Sequence, residues 1–432
     1  MYRKAMVELM TWKISPRRKP LVIRGARQVG KTWLMTEFAN NEYEDYIYVS
    51  FDKDTDAAKI FDETKDPKLI LERLALIQGK TILPEKTLVI LDEIQECPNA
   101  LGSLKYFNED ANEYHVITAG SLLGTYLAKP TSYPVGKVNL LSVYPLTFEE
   151  YLAVADSGMY KYYREIKSGS DYVSAFHNKM TEHYKKYLII GGMPECVQSW
   201  INNADPEEIK IIQGEIISLY ENDFTKHSDT VNSGRILQVF RSIVPQLAKR
   251  NNEKFMYAAI AKSARAKDFE DAIEWLVSSG IVYRILNTSK PEYPLRAYEM
   301  ANHFKLFLLD VGLIKHIAQL TNKSILLSEA FQFKGQLTEN YVLEQLLPLS
   351  DNPLNYYVFA QDREIDFVLQ HGELVIPIEV KSGENKNTVS FKSYIEKHKP
   401  EISVRFSARE YMKNGAITNI PLYFAGKMFE LI

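Results

Sequence analysis

A chain of 432 residues has room for roughly three domains at about 150 residues each. Its 46% hydrophobic and 25% charged residues are the composition of a folded globular protein and exclude disorder as the main state. Lys and Arg total 52 against 55 Asp and Glu, a formal net charge of −3, so no global basic field points to nucleic acid and any such binding needs a local patch.

The N-terminal MYRKAMVELMTWK has neither a long apolar core nor a small-residue cleavage site, and it reads as an amphipathic helix, not a signal peptide. From residue 21 to 130, short apolar runs alternate with helical patterns. The runs are Leu21–Ile23, Tyr46–Phe51, Leu88–Leu91 and His115–Thr118, with helical spacing over Leu69–Ile77. Strands alternating with helices predict an α/β domain whose parallel sheet is covered on both faces. Residues 145–250 read mostly as helix, and 255–284 as two or three short helices leading into the strand IVYRIL. Leu337–Leu347 is helical in period. YYVFA, IDFVL and LVIPIEV follow as strands, and the tail PLYFAGKMFELI is expected to hold a last strand.

Gly25-Ala26-Arg27-Gln28-Val29-Gly30-Lys31-Thr32 fits G-x4-G-K-[ST], with an apolar strand before it and a helix after it. The glycines let the backbone curl so that its N–H groups face phosphate, and the helix N-terminus adds favourable partial charge. In that arrangement Lys31 neutralises the β- and γ-phosphates of ATP and the Thr32 hydroxyl ligates Mg²⁺. Leu88-Val-Ile-Leu-Asp92-Glu93 supplies the acidic strand end. Asp92 is expected to hold the hydrated Mg²⁺, and Glu93 to orient and polarise the attacking water. The strand HVITAGSLLG ends in hydroxyls, Thr118 and Ser121, placed to sense the γ-phosphate if that strand lies beside the acidic one.

Toward the C-terminus, Glu379 and Lys381 lie two apart on one strand and so share a face, while Asp366 sits on the preceding antiparallel strand. Glu339 lies on the upstream helix KGQLTENYVLEQL. Carboxylates converging on one point repel unless a cation separates them. Hard oxygen donors favour Mg²⁺ or Mn²⁺, here through Asp366 and Glu379. A lysine beside them can orient or deprotonate a metal-bound water, the arrangement used for phosphodiester hydrolysis.

Taken together, GARQVGKT, LVILDEIQ, ITAGSLLG, YPLTFEEYL, GGMPE, LFLLDVGLI and EIDFVL…PIEVKSG resemble the bacterial and archaeal ATP-binding proteins that join an AAA-type ATPase domain to a C-terminal DUF4143 domain. The resemblance implies three parts: an AAA-like P-loop domain over 1–150, a helical and winged-helix region over 151–325, and an α/β restriction-endonuclease-like domain of PD-(D/E)xK type over 326–432. It matches Glu339, Asp366, Glu379 and Lys381 to nuclease positions. Where the family often has Gly-Arg before the PLTFEEYL run, this chain has Gly136-Lys137.

The winged-helix stretch carries Lys262, Arg265, Lys267 and Arg284, a cluster able to meet DNA phosphates. Arg235 and Arg241 are candidate trans-acting fingers for a ring-forming homo-oligomer. No H-E-x-x-H or Cys/His spacing suggests zinc. Cys97 and Cys196 exclude a disulfide framework and fit a reducing, cytoplasmic setting. The absence of any apolar run of about 18 residues leaves no transmembrane helix and no membrane partner to expect. The sequence therefore reads as an ATPase whose nucleotide cycle controls a nuclease-like domain that binds, and in one version cleaves, DNA. The alternative is an ATP-dependent binding switch with an inactive nuclease-like domain.

Overall fold

The computed structural model describes residues 1–120, 136–226, 230–248, 254–262, 264–327, 333–349, 354–359, 363–383 and 389–432. The chain divides into two compact units, Met1–Tyr144 with Ser278–Gly280, and Pro145–Val277 with Ile281–Ile432.

In the first unit, helix α1 (Ala5–Lys13) buries Ala5, Leu9 and Trp12, the face that its helical spacing puts together. Strands β1 (Leu21–Arg24), β2 (Asp45–Ser50), β3 (Thr87–Asp92), β4 (His115–Gly120) and β5 (Asn139–Ser142) form one sheet in the order β2-β3-β4-β1-β5. All of its pairings are parallel. Every residue of β3 and β4 is buried, which is why both read as unbroken apolar runs rather than alternating ones. Helices α2 (Lys31–Glu42), α3 (Thr55–Glu63), α4 (Pro67–Gln78) and α5 (Pro98–Asp110) complete this unit. Because β4 lies between β1 and β3, the P-loop at the end of β1 and the acidic end of β3 flank the end of β4.

The second unit opens with helices α6 (Phe148–Ala155), α7 (Ser157–Glu165), α8 (His177–Ile190), α9 (Pro194–Asn203), α10 (Pro206–Lys226), α11 (Thr230–Leu247) and α12 (Ala266–Ser278). Strands β6 (Val282–Thr288) and β7 (Glu299–Leu308) precede α13 (Val311–Ile317), α14 (Asn322–Leu326) and α15 (Lys334–Leu346). The remaining elements are β8 (Leu354–Phe359), β9 (Arg363–His371), β10 (Leu374–Val380), α16 (Val389–His398), β11 (Ser403–Ser407), β12 (Met412–Asn414), β13 (Ile417–Pro421) and α17 (Met428–Leu431). Eight strands share one mixed sheet, ordered β12-β13-β11-β10-β9-β8-β6-β7.

IVYRIL therefore becomes β6, paired antiparallel with β7 and parallel with β8. Residues on both sides of position 325 contribute to the same sheet. Before α12 this stretch contains, among the described residues, one short 3-10 turn at Tyr257–Ala259. The tail departs from expectation. Its strand ends at Pro421, and Leu422–Lys427 and Met428–Leu431 are helical. Leu422 to Ala425, Met428 and Leu431 are all buried, so the apolar run reflects helical packing rather than a strand.

Three short sequences interlock in this unit. Thr147 caps α6 in a reciprocal box with Glu150, and the Phe148 N–H donates to Gln345 Oε1 at 2.8 Å. The Leu146 N–H donates to the Gly192 carbonyl at 2.6 Å. The Gly192 N–H in turn donates to Asp310 Oδ2 at 2.5 Å, while Asp310 Oδ1 caps α13 through the Leu313 N–H at 2.9 Å. Gly191 has φ +76°, and a Cβ there would lie 2.2 Å from Asp310 Oδ1, so only glycine fits this approach. YPLTFEEYL, GGMPE and LDVGL are thus parts of one buried junction.

Candidate functional site

The P-loop curls between β1 and α2. Gly25 has φ +153°, and a Cβ on it would sit 2.2 Å from the Val143 carbonyl oxygen. Gln28 (φ 63°) and Gly30 (φ 90°) are left-handed, which turns the loop back onto the start of α2. Lys31, the first residue of α2, is buried, and its Nζ donates to the carbonyls of Gly25 at 2.9 Å and Ala26 at 2.7 Å. Burial pushes its ammonium down to about 8, against the charges of Glu93 and Asp92, which work to raise it. Gly280, from the segment between α12 and β6, abuts this loop: a Cβ on it would be 3.2 Å from the Ala26 N.

Asp92, at the end of β3 and 3% exposed, is the hub of the acidic side. Its Oδ2 accepts from Thr32 Oγ1 at 2.7 Å and from the Tyr48 hydroxyl at 2.9 Å, and its Oδ1 accepts from the Glu93 N–H at 2.9 Å. Glu93 is itself left-handed (φ 49°), so the chain turns sharply after the strand, and Gln95 Nε2 donates to its Oε2 at 2.5 Å. Thr118 on β4 is fully buried, and its hydroxyl has no hydrogen-bond partner among the described residues. Ser121 lies outside the described residues. Tyr48 was not singled out by sequence. Pairing of Tyr48 with Ile90 puts it one strand over from Asp92, and burial followed by the Asp92 charge raises its phenol above the ordinary value. The hydroxyl of Thr32 and the carboxylate of Asp92 converge as hard oxygen donors, a set that fits Mg²⁺.

In the second unit the antiparallel register pairs Ile378 with Phe367, and one further step sets Asp366 opposite Glu379. Asp366 Oδ2 accepts from the Val380 N–H at 2.7 Å. Lys381 Nζ pairs with Glu379 Oε1 at 2.5 Å. Glu339 on α15 feels the charges of Asp366, Lys305, Glu364 and Lys381, so the structure gathers all four sequence candidates. It adds Glu364, two residues before Asp366 on β9, and Lys305 on β7, whose ammonium is ion-paired to Glu364. Arg405 pairs across β10–β11 with Glu379. The period of two on β9 could have revealed Glu364. Lys305 becomes visible only through the sheet order.

Four carboxyls therefore share one site with two lysines; Glu364 and Glu379 are buried, and Glu339 and Asp366 are half-buried. Burial first, and then the charge of Asp366, push Glu339 and Glu379 up to about 8. Burial raises Glu364 to about 7, against the pull of Lys305. Burial alone would lower Lys305 and Lys381, but the surrounding carboxylates outweigh it and hold both above the ordinary lysine value. One Glu364 oxygen has no hydrogen-bond partner among the described residues. Among those residues, no three His, Cys, Asp or Glu side chains gather as one metal-holding group. The donors that fit a hard divalent ion are the Asp366 and Glu379 carboxylates, and two carboxylates are the usual protein share for Mg²⁺.

Other candidates are placed more simply. Lys137 pairs with Glu109 at 2.8 Å. Arg241 forks onto Glu221 through Nε and Nη2 at 2.9 and 3.0 Å, and Arg235 is half-buried. Lys262, Arg265 and Lys267 are exposed, whereas Arg284 is bound to Glu274. Both cysteines are buried free thiols that burial pushes up. No helix among the described residues is long and apolar enough to cross a membrane.

Residues 17–152 match the AAA domain family AAA_14, and residues 334–424 match DUF4143, a domain of unknown function. The chain carries an AAA domain and a DUF4143 domain. Residues 181–324, between them, match a further domain of unknown function, DUF8612. Lys305 lies in the DUF8612 match and Glu364 in the DUF4143 match, so their ion pair joins the two within one sheet. No curated protein matches the chain. Among solved structures it is similar to Aeropyrum pernix ORC1 in complex with DNA (12% identity over 74% of this chain and 92% of that one, TM-score 0.27). It is also similar to Cdc6p of Pyrobaculum aerophilum (10%, 75% and 93%, TM-score 0.25). A third is the RuvB Holliday junction branch migration motor of Thermotoga maritima (14%, 65% and 87%, TM-score 0.27). At these TM-scores the description of the fold rests on the sheet topology itself.

The carboxyls give a signed pH dependence. Glu339 and Glu379 keep a proton in the folded state up to about 8, whereas in the unfolded chain a Glu gives it up near 4.3. Folded protein thus binds more protons than unfolded protein at neutral pH, and stability falls as pH rises. Between pH 6.5 and 8 the second unit is expected to lose stability, by up to about 1.4 kcal/mol per pH unit for each carboxyl that keeps its proton in the folded state and has lost it in the unfolded chain. Thermal unfolding across that window checks it: Glu379→Gln should flatten the slope, and a flat wild-type profile would contradict the shared buried charge.

Proposed function

We propose that the AAA domain binds and hydrolyses ATP with Mg²⁺, and that its nucleotide cycle controls a DUF4143 domain of PD-(D/E)xK endonuclease type that binds and cleaves DNA. The observation that carries the first half is the direct Thr32–Asp92 hydrogen bond at 2.7 Å, which brings the P-loop hydroxyl onto the acidic strand end. Mg²⁺ held by Thr32 and Asp92 would supply charge neutralisation at the phosphates. Gly25 to Gly30 present backbone N–H groups to the phosphates, and Lys31 turns from its loop carbonyls to the β- and γ-oxygens. Glu93 orients and polarises the attacking water. Thr118, with a buried hydroxyl lacking a partner among the described residues, is the residue on β4 suited to read the γ-phosphate. Gly280 supports the coupling, since a segment that abuts Ala26 runs on within two residues into β6.

For the second half, Asp366 and Glu379 would hold Mg²⁺ or Mn²⁺, which supplies Lewis acidity at a phosphodiester. Lys381 orients the attacking water, and Glu339 tunes the charge of the site. A second reading has a specific observation in its favour. Lys381 is already held by Glu379, and among the described residues no three His, Cys, Asp or Glu side chains form a group that could hold a metal ion. On that reading the DUF4143 domain grips DNA without cutting it, and ATP sets its grip.

Lys31→Ala should abolish ATP binding. Glu93→Gln should keep binding, measured with a fluorescent ATP analogue, and lose about 10²- to 10⁴-fold in phosphate release. Normal turnover in Glu93→Gln would remove the water-polarising role. For the second half, plasmid nicking with Mg²⁺ or Mn²⁺ should disappear in Asp366→Ala and should change with ATP. Absence of nicking under either metal would favour the binding switch.

A further inference from the structure

Strand β2 runs parallel to β3, and its register sets Ser50 opposite Asp92 and Tyr48 opposite Ile90. Tyr48 and Ser50 lie two apart and so share a face of the strand. Ser50 is the nearer in register, but its hydroxyl donates to Asp52 Oδ1. The half-buried Tyr48 phenol reaches Asp92 instead, donating to Oδ2 at 2.9 Å. The same oxygen accepts from Thr32 Oγ1 at 2.7 Å, and Oδ1 accepts from the Glu93 N–H at 2.9 Å. A carboxylate that is 3% exposed is thus clamped from the P-loop side by Thr32 and from the β2 side by Tyr48.

The two clamps differ in what they leave over. Thr32 spends its hydroxyl proton on Asp92, so the lone pairs of its oxygen stay available to a hard cation. Tyr48 acts on the carboxylate alone. Its backbone is tied to α4, where Gln78 Nε2 donates to the Tyr48 carbonyl at 2.7 Å. Burial, and then the charge of Asp92, hold the phenol above its ordinary value, so it stays protonated and remains a donor. Without it, Oδ2 would be held by the Thr32 hydroxyl alone, and the carboxylate and hydroxyl could turn together. Groups that orient a metal ligand govern metal affinity without touching the metal.

We propose that Tyr48 is a positioning residue of the nucleotide site. Its phenol fixes the Asp92 carboxylate, and through it the Thr32 hydroxyl, so that the pair presents preset oxygens to a divalent cation. Tyr48 therefore sets the affinity of the nucleotide-bound site for the cation and leaves the affinity for metal-free nucleotide to the P-loop. This role rests on the ATP- and Mg²⁺-binding reading given above and requires no hydrolysis.

The test takes the full-length protein through two titrations: a fluorescent ADP analogue in EDTA, and Mn²⁺ added to the ADP complex and followed by electron paramagnetic resonance. Tyr48→Phe keeps the ring and removes only the donor. It should bind the analogue in EDTA as wild type does, which also shows that it folds, and should hold Mn²⁺ about tenfold more weakly. Tyr46→Phe, on the same strand but with its ring under the Lys80 ammonium at 5.1 Å, should match wild type in both. Equal Mn²⁺ affinity in Tyr48→Phe and wild type, a loss in EDTA as large as the loss of Mn²⁺ affinity, or an equal loss in Tyr46→Phe would each overturn the proposal. A wild type that binds no nucleotide would overturn it together with the ATPase reading. Phosphate release over a MgCl₂ series separates the two. Weaker Mn²⁺ binding in Tyr48→Phe with no phosphate release by wild type sustains the role of Tyr48 and removes hydrolysis. Phosphate release with the same Mg²⁺ requirement in both proteins sustains the ATPase and removes the role of Tyr48.

Discussion

A carboxylate taken out of water must find N–H donors, a cation or a proton, and this constraint shapes both units. Asp310 shows the first solution. It is fully buried, with a carboxyl raised to about 6, and it accepts N–H groups from Gly192 and Leu313. Asp92 answers with donors from Thr32, Tyr48 and Glu93, leaving its charge beside Lys31. The cluster around Asp366 has lysine partners for part of its charge, and the rest appears as protons kept by Glu339 and Glu379 up to about 8. A cation delivered there would displace protons rather than fill a neutral hole.

The same constraint separates structure from chemistry among the marked sequences. YPLTFEEYL, GGMPE and LDVGL, which mark the family resemblance most specifically, meet in the Leu146–Gly192–Asp310 junction. Backbone N–H groups of Leu146, Gly192 and Leu313 close that junction within the fold. Among the described residues, the sequences carrying candidate chemistry end with unmet demands: the Thr118 hydroxyl, one oxygen of Glu364, and a lysine desolvated against its own loop.

Much of this was legible in the residues because it is local. The P-loop and the Asp92-Glu93 strand end are short patterns whose backbone follows from their glycines and apolar runs. The shared face of Glu379 and Lys381 follows from a period of two. Glu364 obeys the same period relative to Asp366 and was legible but unread. Lys305 was not legible, since its place beside Glu364 depends on β6 joining β8 across residues distant in sequence. The tail misled because a run of apolar residues looks alike in a buried strand and in a helix packed on all sides.

The most direct measurement is a calorimetric titration of the nucleotide-free protein with Mn²⁺ at pH 7.5 in two buffers of different ionisation enthalpy. The account predicts Mn²⁺ binding that releases protons, because carboxyls pushed to about 8 must give them up to become ligands. Both the affinity and the proton release should be lost in Glu379→Gln. Mn²⁺ binding without proton release, unchanged in that variant, would contradict it.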